Sequence, residues 1–244
     1  MSYLMSNYAP LPVTFIKGNG CYLTDNNGVV YLDALCGVAV TGLGHSHPKI
    51  SEAIQSQAQQ LLHTGNWYHI QQQEILAETL CKLADMDAVF FCNSGAEANE
   101  AAIKIARLHA CANQINEPII LTAKQSFHGR TMATLSASGN SKVQAGFAPL
   151  VSEFIHVNFN DVEAIQKYES NPRIVAVMLE PIQGENGVIV PDADYLNHVQ
   201  EICQKNNWLL ILDEVQTGIG RTGKMFAHQY NQITPDILTL AKGL

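Results

Sequence analysis

From Ala88 to Lys242 the chain repeats one pattern, a short, mostly apolar run followed by a longer stretch with apolar residues at helical spacing. The runs are 88–92, 119–122, 154–157, 174–179, 208–212 and 237–240, and the helical stretches between them include 96–112, 162–170 and 195–206. In the last of these, Leu196, Val199, Ile202 and Cys203 form one stripe. Continuous apolar runs, as opposed to alternating ones, are strands buried on both faces. Strands of that kind separated by amphipathic helices predict an α/β fold, a mostly parallel sheet flanked by helices. Ligands of such sheets bind beyond the carboxyl ends of the strands. The residues just after each run are therefore the candidate site.

The N-terminal third reads differently. Residues 20–24 and 29–33 are β-rich and flank Asp25-Asn26-Asn27-Gly28, a hairpin signal. A loop over 37–48 contains Gly42, Gly44 and Pro48. Helical spacing then begins, with Ile50, Ile54, Leu61 and Leu62 on one face and a second helix predicted over 71–84.

Composition narrows the function classes. Asp plus Glu number 22 against 14 Lys plus Arg, a net charge of −8 that argues against nucleic acid or an anionic membrane as partner. No apolar run approaches the length of a membrane span, and residues 1–14 lack the basic and apolar regions of a signal peptide. The six cysteines include no C-x-x-C pair and read as reduced thiols. The expectation is a soluble cytoplasmic protein.

The segments after the strands carry the chemistry. Ser94 and Glu97 form a capping-box pattern opening an Ala-rich helix. This reads first as an ordinary cap, and second as a phosphate grip in which Gly95 and Ala96 leave backbone N–H groups free. In Phe127-His128-Gly129-Arg130-Thr131, Phe127 suits a flat ring and Arg130 a carboxylate, although a surface loop is an equal reading. Glu180 and Glu185 lie five residues apart on a Gly-containing loop. Asp213, at the end of an apolar strand, needs a cationic or protonated partner, and Glu214, Val215 and Gln216 follow it. Lys242 lies just past the last apolar run, where most lysines merely reach solvent and a desolvated one can form a Schiff base. Together, a phosphate grip, an aromatic stack, a carboxylate and a lysine are the set that pyridoxal phosphate requires.

Six ordered motifs, Gly44-His45-Ser46-His47-Pro48, 93–100, 127–131, 180–187, 212–223 and 239–243, resemble the class III pyridoxal-phosphate aminotransferases, most closely the members acting on N-acetylornithine. The resemblance implies a fold-type-I PLP-transferase. Residues 1–55 would belong to the small domain as an α+β segment, and 56–244 to a large cofactor domain lacking its C-terminal part. It implies that Lys242 binds the cofactor aldehyde and shuttles the proton, and that Asp213 pairs with the ring nitrogen. Val215 and Phe127 would pack on the ring faces, with Gln216 near the ring hydroxyl and Glu214 among the cofactor-binding residues. Ser94, Gly95 and Ala96 would hold the phosphate, Arg130 the substrate carboxylate, and Glu185 would help admit the amino donor or glutamate.

The implied reaction moves the terminal amine of acetylornithine to 2-oxoglutarate, giving N-acetylglutamate 5-semialdehyde and glutamate in arginine synthesis. The complete protein would be a homodimer. Family members are about a domain longer. A strand beside 88–92, a later Thr, an Arg for 2-oxoglutarate and the small C-terminal domain are thus expected beyond Leu244, and the 244-residue chain alone is expected to be inactive. Thr41, Gly42 and 64–68 depart from the family pattern near its substrate entrance. Other readings are another class III aminotransferase (for succinyl-diaminopimelate, ornithine, succinylornithine or 4-aminobutyrate), an inactive fragment, or a non-catalytic phosphate-binding module. A metal site at His45 and His47 lacks a third ligand nearby, so no metal is expected.

Overall fold

The computed structural model describes residues 3–244. The chain divides between His69 and Ile70 into two compact units.

In the first unit, β1 (Phe15–Asn19), β2 (Tyr22–Asp25) and β3 (Val30–Leu32) form an antiparallel meander. The predicted turn between β2 and β3 closes as expected. Asp25 Oδ1 accepts the N–H groups of Asn27 at 2.9 Å and Val29 at 2.8 Å, and Gly28 takes the left-handed φ of 83°. Strand β1 was not anticipated, because its sequence carries no turn signal of its own. The side chain of His45 lies where one at Gly18 would stand, its Cβ 2.6 Å and its ring Cγ 2.7 Å from an added Cβ, and its Nε2 is 2.7 Å from Asp33 Oδ2. A helix runs over Pro48–Gln60 with Pro48 in its first turn.

In the second unit, β4 (Ile119–Ala123), β5 (Phe154–Val157), β6 (Ile174–Leu179), β7 (Leu209–Asp213) and β8 (Ile237–Thr239) form a fully parallel sheet of order β5-β4-β6-β7-β8. Side chains alternate between its faces. Ile120, Met178 and Ile211 meet Ala102, Ile103 and Ala106 of the helix Gly95–Ala112, whose alanines allow close approach. On the other face Leu121, Leu179 and Leu212 meet Leu196, Val199 and Ile202 of the helix Tyr195–Asn206. Each fully buried aliphatic side chain contributes roughly 1.5–3 kcal/mol, so this two-sided core holds the sheet and fixes where its strands end.

Two expectations need correction. Residues 88–92 form an extended segment with no strand partner among the described residues. Their composition suits a strand, but a strand also needs a ladder of hydrogen bonds. Val89 and Phe91 instead line a cavity of about 650 Å³ shared with Ile237 and Leu240. The helix predicted over 162–170 is shorter, Val162–Gln166, and continues as turns.

Candidate active site

Chain order reverses beside β4, with β5 on one side and β6 on the other, so the loops after β4, β6, β7 and β8 open at one end of the sheet. The helix start at Gly95–Ala112 faces the same end. Ser94 Oγ accepts the N–H of Glu97 at 3.2 Å, the expected cap. The reciprocal half of the box is displaced by one residue, since Glu97 Oε2 accepts from the N–H of Asn93 at 2.5 Å.

Glycines show how tightly these segments meet. A Cβ at Gly95 would lie 2.8 Å from both methyls of Val215 and 3.2 Å from the Cβ of Ala241. The helix start, the residue after Asp213-Glu214 and the neighbour of Lys242 are thus in direct contact. A Cβ at Gly129 would lie 3.1 Å from the Cβ of Ala96, which brings the 127–131 loop to the same helix start. Gly184 packs against Gln216 in the same way, at 3.4 Å.

Asp213 is 3% exposed and forms the centre. Its Oδ2 lies 2.8 Å from His128 Nδ1 and accepts from Asn99 Nδ2 at 2.7 Å, while Oδ1 accepts from the Val215 N–H at 3.0 Å. The cationic partner that a buried strand-end carboxylate needs is therefore His128. Burial alone would lower the pKa of that imidazole, but the hydrogen bond and charge of Asp213, with the charge of Glu180, outweigh it and hold His128 above its ordinary range.

Glu180 is 5% exposed, and its pKa is pushed up to about 7. Desolvation is the main cause. His128 opposes it, and Asp213 adds to it.

Lys242 is half-buried, takes a left-handed φ of 48°, and donates from Nζ to Gln216 Oε1. A non-glycine residue in that conformation is held there by its surroundings. Phe127 is half-buried, and the exposed Arg130 guanidinium stands 5.9 Å from its ring centroid. Glu185 is exposed on the tongue closed by the Gln183–Ile189 bridge, and no protein contact draws it to the other groups.

Glu214 has a different place from the cofactor contact expected of it. Its carboxylate is fully buried and accepts from Thr217 Oγ1 at 3.1 Å, Ala227 N at 2.6 Å and His228 N at 2.9 Å, with His228 Nδ1 at 2.8 Å. These bonds fill its acceptor sites and tie down the 217–228 loop. Among the described residues no group of three or more His, Cys, Asp or Glu is placed to hold a metal ion. Asn99, His128 as the partner of Asp213, and Thr239 were not singled out from sequence. The one available signal was the requirement of Asp213 for a partner.

Comparisons with known proteins follow this geometry. The family described as aminotransferase class-III matches residues 3–244. The acetylornithine aminotransferase of Nitrosomonas europaea is 56% identical over 245 residues, covering 100% of this chain and 62% of the relative. That of Prochlorococcus marinus is 48% identical over 249 residues, covering 100% of this chain and 59% of the relative. Among solved structures, the ornithine aminotransferase of Toxoplasma gondii aligns with a TM-score of 0.94 and 36% identity over 98% of this chain and 57% of its own. The N-acetylornithine aminotransferase of Stenotrophomonas maltophilia gives 0.84 and 38% over 97% and 60%. The chain thus spans about three-fifths of the length of these relatives.

Proposed function

The chain belongs to the class III aminotransferases, and from that premise we propose that the full-length protein transfers the terminal amine of N2-acetylornithine to 2-oxoglutarate. The products are N-acetylglutamate 5-semialdehyde and glutamate, a reaction of arginine synthesis. The observation that carries the reading is the convergence of Lys242, Asp213 and the Gly95 helix start at one sheet end, where Gly95 leaves no room even for a methyl group. The substrate rests on relatives 48–56% identical that bear the name acetylornithine aminotransferase.

Class III aminotransferases use pyridoxal phosphate, which when bound supplies an electron sink for the substrate carbon that carries the amine. The residues present fit that group. N–H groups at Ser94–Ala96 start a helix whose dipole favours phosphate. The Asp213 carboxylate, backed by His128, suits a protonated ring nitrogen. Val215 and Phe127 supply apolar faces for a flat ring, and Gln216 lies within reach of Lys242 and of a ring hydroxyl. Lys242 would hold the cofactor aldehyde at rest, and its freed Nζ would then carry the proton off the substrate carbon that bears the amine. Gln216 restrains that amine while the site is at rest. Arg130, exposed and fixed over Phe127, binds the substrate carboxylate bidentately. Glu185, on its exposed tongue, admits the cationic donor.

Residues 1–55 serve the small domain and 56–244 the cofactor domain, and the full-length protein is a cytoplasmic homodimer. No helix among the described residues is long and apolar enough to cross a membrane. The test is kcat/KM of the full-length protein with 2-oxoglutarate and N-acetylornithine, succinylornithine, ornithine or 4-aminobutyrate in turn. N-acetylornithine is expected to exceed the unacylated donors by roughly tenfold or more. A preference for ornithine or 4-aminobutyrate would overturn the substrate assignment.

A further inference from the structure

Asn99 lies one turn inside the helix Gly95–Ala112 and is 1% exposed. Asparagine is a poor residue for a helix interior, so local propensity does not explain it. Its side chain donates from Nδ2 to Asp213 Oδ2 at 2.7 Å and to His128 O at 2.8 Å, and its Oδ1 accepts from Thr239 Oγ1 at 2.8 Å. The amide orientation is dictated by chemistry. A carboxylate and a carbonyl can only accept, so both N–H bonds go to them and the oxygen is left for the hydroxyl.

The one side chain joins four segments that lie far apart in sequence. These are the helix whose start meets the phosphate, the loop bearing Phe127, the end of β7, and β8, three residues before Lys242. Both donor hydrogens are used and every bond is buried, so no rearrangement of one segment leaves the others undisturbed. A leucine of similar volume would fill the space without linking anything.

We propose that Asn99 is the positioning residue of this site, setting the Asp213 carboxylate relative to the helix start at Ser94–Ala96 and to the strand that leads into Lys242. Four residues of helix, about 6 Å of rise, separate Gly95 from Asn99, so the amide gauges the distance between the two grips on the ligand. The inference rests on the pyridoxal-phosphate reading above and concerns how that ligand is held.

The test uses the full-length protein as wild type, Asn99→Ala, Asn99→Asp and Thr239→Val. Four readouts are needed: a phosphopyridoxyl adduct on Lys242 after borohydride reduction, cofactor Kd, the pH midpoint of the absorbance of saturated protein, and the unfolding midpoint of each apoprotein. Asn99→Ala is expected to weaken the cofactor by about tenfold, the loss of one charge-assisted bond, and to move the absorbance midpoint. Asn99→Asp keeps an acceptor for Thr239 but sets a carboxylate against Asp213, so it moves both further. Thr239→Val removes the hydroxyl that Asn99 Oδ1 accepts at 2.8 Å and that lies a longer 3.4 Å from Asp213 Oδ1; it moves them in the same direction by less, and an unchanged affinity and midpoint in it would count against the proposal if the Asn99 variants do not fold. Wild-type affinity and absorbance midpoint, with only the unfolding midpoint lowered, would overturn the proposal alone. No adduct on the wild-type protein would remove the cofactor reading and the proposal together.

Discussion

The carboxylate of Glu180, one residue past β6, accepts the backbone N–H of Phe127 at 3.0 Å. One loop at the sheet end is thereby tied to another through a titratable group that is almost wholly buried. The aromatic ring and the Arg130 guanidinium above it inherit their position from that bond.

That carboxyl makes stability depend on pH. Its pKa rises from 4.5 to about 7 on folding, so between those values the folded chain holds a proton that the unfolded chain has released. The stability it contributes is complete below the unfolded value and is lost as pH rises through about 7. Glu180→Gln stays neutral and keeps an acceptor for Phe127. Relative to wild type it should gain on the order of 2 kcal/mol between pH 5 and pH 8. Urea unfolding at both pH values measures this, and parallel profiles would contradict it. The raised pKa of His128 acts in the same direction and persists in the variant through Asp213, with only the smaller contribution of the Glu180 charge removed.

Gly95→Ala sets two effects against each other. Alanine favours a helix over glycine by about 1 kcal/mol, but here its Cβ would meet two Val215 methyls at 2.8 Å. Overpacking of that kind costs about 1–3 kcal/mol, so net destabilisation is expected, together with weaker cofactor binding. Val215→Ala removes the obstructing methyls, and the double variant should lose less than the sum of the singles. A Gly95→Ala protein as stable as wild type would show that the helix start gives way freely.

Glu214→Ala should be costly although Glu214 is given no contact with the ligand. It leaves the N–H groups of Ala227 and His228, the imidazole of His228 and the hydroxyl of Thr217 without their acceptor in a dry interior. Leaving one buried donor without its acceptor costs about 1–3 kcal/mol, so the loss of several together is expected to cost about 3 kcal/mol or more. Denaturant unfolding measures it. A loss under about 1 kcal/mol would mean that the 217–228 loop is held by other contacts.

The sequence was most legible where burial is symmetric. Strand β6 and the helix Tyr195–Asn206 run as their apolar patterns predict, because two covered faces leave an unbroken apolar run and a single covered face leaves a stripe. Residues 88–92 carry an equally good pattern without forming a strand, since pairing depends on a partner that composition does not reveal. Reading strand ends singled out Asp213, Gln216, Lys242 and the Ser94 cap, which the structure gathers at one end of the sheet. It missed Asn99 and the role of His128, whose bonds to Asp213 cross 114 and 85 residues of chain and leave no local spacing to read. The bonds of Glu214 are equally hidden from local spacing: it neighbours Asp213 in sequence, yet its side chain answers to His228.

The central claim is that Lys242 is the residue that holds pyridoxal phosphate. Borohydride reduction of the full-length protein in the presence of the cofactor, followed by peptide mass mapping, tests it most directly. A single phosphopyridoxyl adduct on Lys242, absent from Lys242→Ala, is the predicted result. An unmodified Lys242, or adducts scattered over the surface lysines, would contradict it.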